Sequence, residues 1–315
     1  MNLSRFARYA WGVLAWNILV ILWGAVVRAT GSGAGCGAHW PQCNGQIIPR
    51  APSVETMIEF SHRLTSGLAL LSVLGMLIWA LRAFPKGHAV RQAAIASMVF
   101  MVIEALIGAA IVLLRYVAHN QSLERGVSGG LHLVNTFLLL AALVLTAWWA
   151  SGGAVWRLRG QGLLAWLLGA GLAGALLLGA SGAIAALGDT LFPSDSLAEG
   201  IQQDFSAAAH LFVQLRVFHP VIAVLVGAYS VAIGWLAARQ RPSVGTRRAA
   251  LALTALFVLQ GLVGVVNLVL LAPVPMQIIH LLLADLVWIA LVLLANTALA
   301  EPAAVALPRM AEAQR

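Results

Sequence analysis

The sequence predicts an all-α integral membrane protein, with eight transmembrane helices arranged as two pseudo-symmetric four-helix bundles. Three observations carry that expectation. Of the 315 residues, 61% are hydrophobic and only 10% are charged, where a soluble domain carries roughly a quarter charged residues. The apolar residues fall in runs of about the 20 residues that a ~30 Å hydrocarbon layer demands. Histidines and glycines then recur at a spacing that divides the chain into related halves, 1–150 and 151–315.

The expected spans are Tyr9–Val27, Met57–Leu81, Ala93–Leu114 and Gly129–Ala150 in the first half. The second half holds Gly162–Leu187, Leu211–Ala238, Ala249–Ala272 and Met276–Ala300. Little chain remains for a soluble domain. The first span is long and runs on into others without an A-x-A-like site, so it reads as a retained helix rather than a cleaved signal. No Arg- and Ser-rich transit segment precedes it, which favours a prokaryotic plasma membrane.

A net charge of +8 raises the question of nucleic acid, but the positions of the charges answer otherwise. Arg5, Arg8, Arg82, Lys86, Arg91, Arg157, Arg159, Arg239, Arg241, Arg247, Arg248, Arg309 and Arg315 all fall on one side of the predicted spans. The other side has Arg50, Arg115 and Arg125 in its loops, Arg28, Arg63 and Arg216 near span ends, and an acidic stretch with Asp189, Asp195, Glu199 and Asp204. The positive-inside rule places both termini in the cytoplasm, which needs an even number of spans. The partner implied by this pattern is membrane lipid, not nucleic acid.

The repeat is weak but ordered. Gly24-Ala25 matches Gly179-Ala180, His62 matches His219, Gly108 matches Gly264, and His132 matches His280. Four spans separate each pair, so the two copies insert in the same orientation, as parallel repeats do. Chance apolar likeness explains isolated Gly and Ala matches. It does not explain a histidine at related places in every even-numbered span.

His62, His132, His219 and His280 are therefore the strongest chemical signal. Ionisable groups within a membrane are costly and mark function. A lone one often satisfies an interhelical hydrogen bond, but four at related positions and a common depth of about two turns do not fit that account. Two imidazoles facing each other between helices form an axial pair for haem iron. Zinc is the rival, yet a structural zinc site gathers about four ligands in one cluster, and the repeat spreads these into two pairs. His39, His88, His119 and His210 fall in or beside loops and read as solvated surface residues.

Glu59 precedes His62 by three residues and so shares its helical face. A helix-start glutamate stabilised by the macrodipole is the plainer alternative. Arg63 and Arg216 suit bidentate pairing with haem propionates, against the alternative of snorkelling to the interface. Glu104 is a carboxylate within span three, where the second half has Gln260; a proton path is one reading. Asp285 turns away from the face of His280, and a helix–helix hydrogen bond accounts for it. The only cysteines, Cys36 and Cys43, lie in a Gly-rich outer loop where a disulfide is plausible. In an exposed small loop such a bond is redox-active as easily as structural. No C-x-x-C-H run calls for covalent haem. No strand or lysine supports a phosphate-loop reading of the glycines.

The run Gly24-Ala-Val-Val-Arg28-Ala-Thr-Gly-Ser-Gly-Ala-Gly-Cys36, then Trp40-Pro41-Gln-Cys43-Asn-Gly45 and Glu59-x-x-His62-Arg63, resembles the haem A synthase family. The likeness covers essentially the whole chain. It implies oxidation of the C8 methyl of haem O to a formyl group, giving haem A for terminal oxidases. It also implies a substrate haem site at His62 and His132, a haem b cofactor at His219 and His280, a catalytic carboxylate at Glu59 and a redox cysteine pair at Cys36 and Cys43. The haem O-making farnesyltransferase and oxidase assembly factors are the partners it implies, beside an unidentified electron donor. Two departures stand out: no second cysteine pair in the third outer loop, and Pro220 after His219 where the family often has Arg. A quinol-linked di-haem cytochrome b would explain the histidines but not Glu59 or the cysteine loop. A transporter would want broken helices near the midplane, and these spans look unbroken.

Overall fold

The computed structural model describes residues 3–157 and 159–300. Its helices are α1 (Arg5–Ala29), α2 (Val54–Ala83), α3 (Ala89–Leu113), α4 (Leu123–Ala150), α5 (Leu163–Leu191), α6 (Leu197–Asp204), α7 (Leu211–Arg216), α8 (Phe218–Gln240), α9 (Val244–Val269) and α10 (Val274–Ala298). Taking α7 and α8 together, eight are long and apolar enough to cross a membrane. The chain is a multi-pass membrane protein. Arg309 and Arg315, expected on the cytoplasmic side, lie outside the described residues.

Several helices start earlier than their apolar runs, and the caps explain why. Ser53, Ser122 and Ser243 accept the backbone N–H groups of Thr56, Arg125 and Thr246. Each serine satisfies a donor that a helix start otherwise leaves orphaned, so the polar first turns of α2, α4 and α9 become helical. His62 and His132 therefore sit in the third turn of their helices rather than the second.

Span six is not unbroken. It divides at Val217 between α7 and α8. Pro220 supplies no N–H, and its ring meets the carbonyl four residues back, at Arg216. Arg63 holds the related position in α2, which runs through without interruption. The acidic segment carries helix beyond the expected span five, since α5 continues to Leu191 and α6 follows.

Contacts run α1–α2, α2–α3, α3–α4 and α4–α1 in the first half, and α5–α8, α8–α9, α9–α10 and α10–α5 in the second. Between the halves α4 meets α5 and α10, and α1 meets α10. This places α4 and α10 at the centre. Of the long helices α4 is the most buried and α9 the least. Leu259, Leu262, Val265, Val266 and Val269 on α9 are exposed, as a lipid-facing surface requires.

The seam is specific. Trp288 of α10 stacks on Phe137 of α4 at 5.3 Å and donates its indole N–H to the Phe137 carbonyl at 2.6 Å. Trp149 donates to Asn296 at 3.0 Å. Arg28 reaches from α1 to the Ala186 carbonyl and Thr190 of α5 and to Gln277 of α10. Small residues admit close helix approach elsewhere: a Cβ on Gly227 of α8 would lie 1.7 Å from the Phe257 ring of α9, the close-packing device expected between membrane helices.

Candidate functional site

All four predicted histidines lie toward the end of the molecule that carries the cysteine loop, each on a helix entering from that end. Each ring faces a glycine on the preceding long helix. A Cβ on Gly24 would lie 2.9 Å from His62 Cε1, and one on Gly182 would lie 3.0 Å from His219 Cε1. One on Gly264 would lie 3.1 Å from His280 Cε1, and one on Gly108 would lie 4.0 Å from His132 Nε2. The counterpart of Gly24 is thus Gly182, not Gly179, whose Cβ direction faces Phe137. The segment Gly179-Ala-Ser-Gly182-Ala offers two Gly-Ala pairs, and only the packing against His219 selects between them.

In the second half the His219 and His280 rings stand 6.4 Å apart between centroids, at 79° to each other. An atom held at ~2 Å from one nitrogen of each ring would separate the centroids by ~6 Å. Ser181 donates its hydroxyl to the Leu178 carbonyl and lies 3.0 Å from His219 Nδ1. Its oxygen therefore accepts from Nδ1–H, leaving the Nε2 lone pair free. The amide nitrogen of Gln260 sits 3.2 Å from His280 Nε2.

In the first half the contact is between His132 and Glu104. His132 Nδ1 is 3.1 Å from Glu104 Oε1. The separation is that of an ion pair, but the ring nitrogen lacks an aligned hydrogen bond. Glu104 is held by Asn135, which donates to Oε2 at 2.6 Å, and by the Thr136 hydroxyl 2.5 Å from Oε1. The mid-span carboxylate of α3 thus belongs to the histidine site.

Glu59 is buried and joins helix to loop. Its Oε2 accepts the Cys36 backbone N–H at 2.7 Å, and its Oε1 pairs with Arg63 at 2.5 Å. Arg63 Nη1 donates to the His39 and Gln42 carbonyls at 2.5 Å. Cys36 and Cys43 form a disulfide. Both cysteines are fully buried, not exposed as a small loop suggests, because the loop folds back onto α2. Thr56 donates to the Gly35 carbonyl, and a Cβ on Gly35 would lie 2.5 Å from the Glu55 backbone.

Arg216 occupies the α7 position related to Glu59 and carries the opposite charge. It pairs with Asp204 at 2.5 Å and Asp189 at 3.1 Å. Both arginines considered for propionates are thus engaged with carboxylates of the chain. Asp285 departs from expectation: it is fully buried, and neither carboxylate oxygen has a hydrogen-bond partner among the described residues. His210 is half-buried and caps α7 by accepting the Phe212 N–H, so it is a capping residue rather than a solvated one. Exposed His88 likewise caps α3, while His39 and His119 are exposed.

Among the described residues no three His, Cys, Asp or Glu side chains gather as a metal cluster. The buried Nδ1 atoms of His62, His132 and His280 lack hydrogen-bond partners. With glycine surfaces opposite the rings, these residues fit axial ligation of a planar iron macrocycle.

The profile of the COX15-CtaA family, described as cytochrome oxidase assembly protein, matches residues 7–292. The chain belongs to this family. Among its relatives is a protoheme IX farnesyltransferase of Thermus thermophilus, 59% identical over 296 residues, covering 94% of this chain and 49% of that protein. A haem A synthase of Exiguobacterium sibiricum is 37% identical over 128 residues, covering 41% of this chain and 42% of the relative. That of Geobacillus kaustophilus is 50% identical over 95 residues, 30% of each. The chain spans about half the length, or less, of these curated relatives.

Proposed function

We propose that this COX15-CtaA chain is a haem A synthase, oxidising the C8 methyl of haem O to a formyl group. The observation that carries the reading is the glycine-faced histidine on every even span, in a chain of this family. The halves 1–150 and 151–315 act as two four-helix units. His62 and His132 hold the substrate haem, released as haem A, and His219 and His280 hold a haem b cofactor. Arg63 and Arg216 would pair with propionates while remaining bound to Glu59 and to Asp189 and Asp204.

Converting a methyl to a formyl group is a four-electron oxidation; with water as the oxygen source, CH3 + H2O gives CHO, four protons and four electrons, and an external electron acceptor must take up those electrons. His219 and His280 would hold a haem b, and that group would supply one-electron transfer. Glu59 takes up a proton at the methyl edge, positioned by Arg63 and the Cys36 N–H. The buried disulfide keeps the loop closed over that carboxylate. Positive-inside charge places the cysteine loop outside a prokaryotic plasma membrane and both termini in the cytoplasm.

The farnesyltransferase named among the relatives is about twice as long as the matched region. A protein of that name makes a farnesylated haem, the substrate proposed here. We therefore infer that this chain works beside such an enzyme and receives its product laterally within the bilayer. Oxidase assembly factors are the recipients of haem A. A second reading, a di-haem cytochrome b, draws on the full engagement of the Glu59 carboxylate by Arg63 and Cys36, which suits a purely structural role.

The test is chromatography and a pyridine haemochrome spectrum of haem extracted from the purified protein, followed by incubation with haem O. Haem b together with haem O or A, and turnover of added haem O, support the synthase. Haem b alone without turnover favours the cytochrome. Glu59→Gln is expected to lower conversion by ~10²-fold or more while haem content and the disulfide persist. Normal conversion by that variant would remove Glu59 from the chemistry.

A further inference from the structure

The two halves place different groups against related histidines. Glu104 and Gln260 stand at repeat-related positions on α3 and α9, each contacting the histidine of the following helix. Glu104 Oε1 lies 3.1 Å from His132 Nδ1. The Gln260 amide nitrogen lies 3.2 Å from His280 Nε2. One contact sets a carboxylate against Nδ1 and the other a neutral amide against Nε2.

We propose that Glu104 is a positioning residue that makes His132 the more electron-donating ligand, and that the Glu104/Gln260 difference sets the two haem sites to different potentials. The inference rests on the assignment of His62 and His132 to a haem. When an imidazole coordinates through Nε2, its Nδ1 carries a proton, and an acceptor there raises the basicity of the ligand and fixes the ring. Glu104, with Oε1 3.1 Å from His132 Nδ1, is the carboxylate placed to serve as that acceptor once the ring is ligated. Its carboxylate is anchored from the far side by Asn135, whose amide also donates to the Phe100 carbonyl at 2.9 Å. Thr136, one turn beyond His132, adds a contact to Oε1 while lying 2.9 Å from the His132 carbonyl. The ligand, its acceptor and two supports of that acceptor thus form one network spanning α3 and α4.

A more basic ligand stabilises ferric over ferrous iron, so Glu104 lowers the first-site potential below what a neutral group there would give. Gln260 brings no charge to the second site. Its Oε1 is buried without a partner, so no second group polarises it as Asn135 and Thr136 polarise Glu104. The arrangement matches a division of labour in which one haem is oxidised and the other carries electrons.

The experiment is a spectroelectrochemical titration of haem-loaded wild type, Glu104→Gln and Gln260→Glu, with His132→Ala and His280→Ala assigning each haem to its site. Glu104→Gln is expected to raise the first-site potential, weakening the ferric preference about ten-fold, ~59 mV for one electron, and to leave the second site unmoved. Gln260→Glu is expected to lower the second-site potential, which keeps the test decisive if Glu104→Gln assembles poorly. Unchanged potentials in variants that retain their haem would overturn the proposal. If His132→Ala keeps its full haem complement, the site assignment itself fails, and this inference falls with it.

Discussion

At the residue scale, the site is made by what is missing opposite each imidazole. Gly24 and Gly182 leave room where a Cβ would press within about 3 Å of a ring carbon. A valine at either position must tilt the ring away from its partner. Gly24→Val is expected to remove haem from the first site and Gly182→Val from the second, each with a 10–100-fold loss of affinity at one site only. Haem-to-protein ratios with site-resolved spectra check this; equal loss from both sites in either variant would contradict it. The histidines were legible in the sequence because charge-capable residues are rare in apolar spans. The choice of Gly182 over Gly179 was not, since a three-residue shift on a helix keeps nearly the same face. Glu104 was visible as an oddity, but its contact with His132 depends on how α3 packs on α4. Asp285 was wrongly given a partner: buried in α10, it has none among the described residues.

At the element scale, the cysteine loop and the acidic segment do related work with opposite charges. Glu59 on α2 holds Arg63 and the Cys36 N–H, whereas Arg216 on α7 holds Asp189 of α5 and Asp204 of α6. Arg216→Ala leaves two carboxylates facing each other without their cation. Because Asp189 retains some exposure, solvent screens part of the loss, and about 1–3 kcal/mol is expected. Cleavage by a Glu-specific protease within Leu197–Asp204 should rise roughly ten-fold. An unchanged rate would mean that α6 is held by other contacts. The break at Val217 belongs to this scale too. Pro220 was seen in the sequence only as an altered motif, yet it divides span six and leaves Arg216 on a separate short helix.

At the scale of the whole molecule, the two halves meet through α1, α4, α5 and α10, and stability concentrates there. Trp288 fills the seam, stacks on Phe137 and donates to its carbonyl. Trp288→Ala is expected to cost about 3–5 kcal/mol, read from reversible unfolding in mixed detergent micelles. A loss below 1 kcal/mol would show that the halves hold together without it. The halves are therefore not independent: the largest buried cluster joins residues of α1, α2, α3 and α4 to Trp288 and Val292 of α10.

The sequence by itself determined the membrane class, the eight spans, the four histidines and the family likeness. Each of these depends on composition, on runs long enough to cross hydrocarbon, or on rare polar residues in apolar surroundings, all of which are local properties of the chain. The tertiary structure alone decided which glycine faces which ring, that the disulfide is buried, that Arg63 and Arg216 are tied to carboxylates, and that Glu104 belongs to His132. Those facts depend on how helices rotate and approach one another. That rotation is set by packing across many residues distant in the chain, and no single stretch of sequence encodes it.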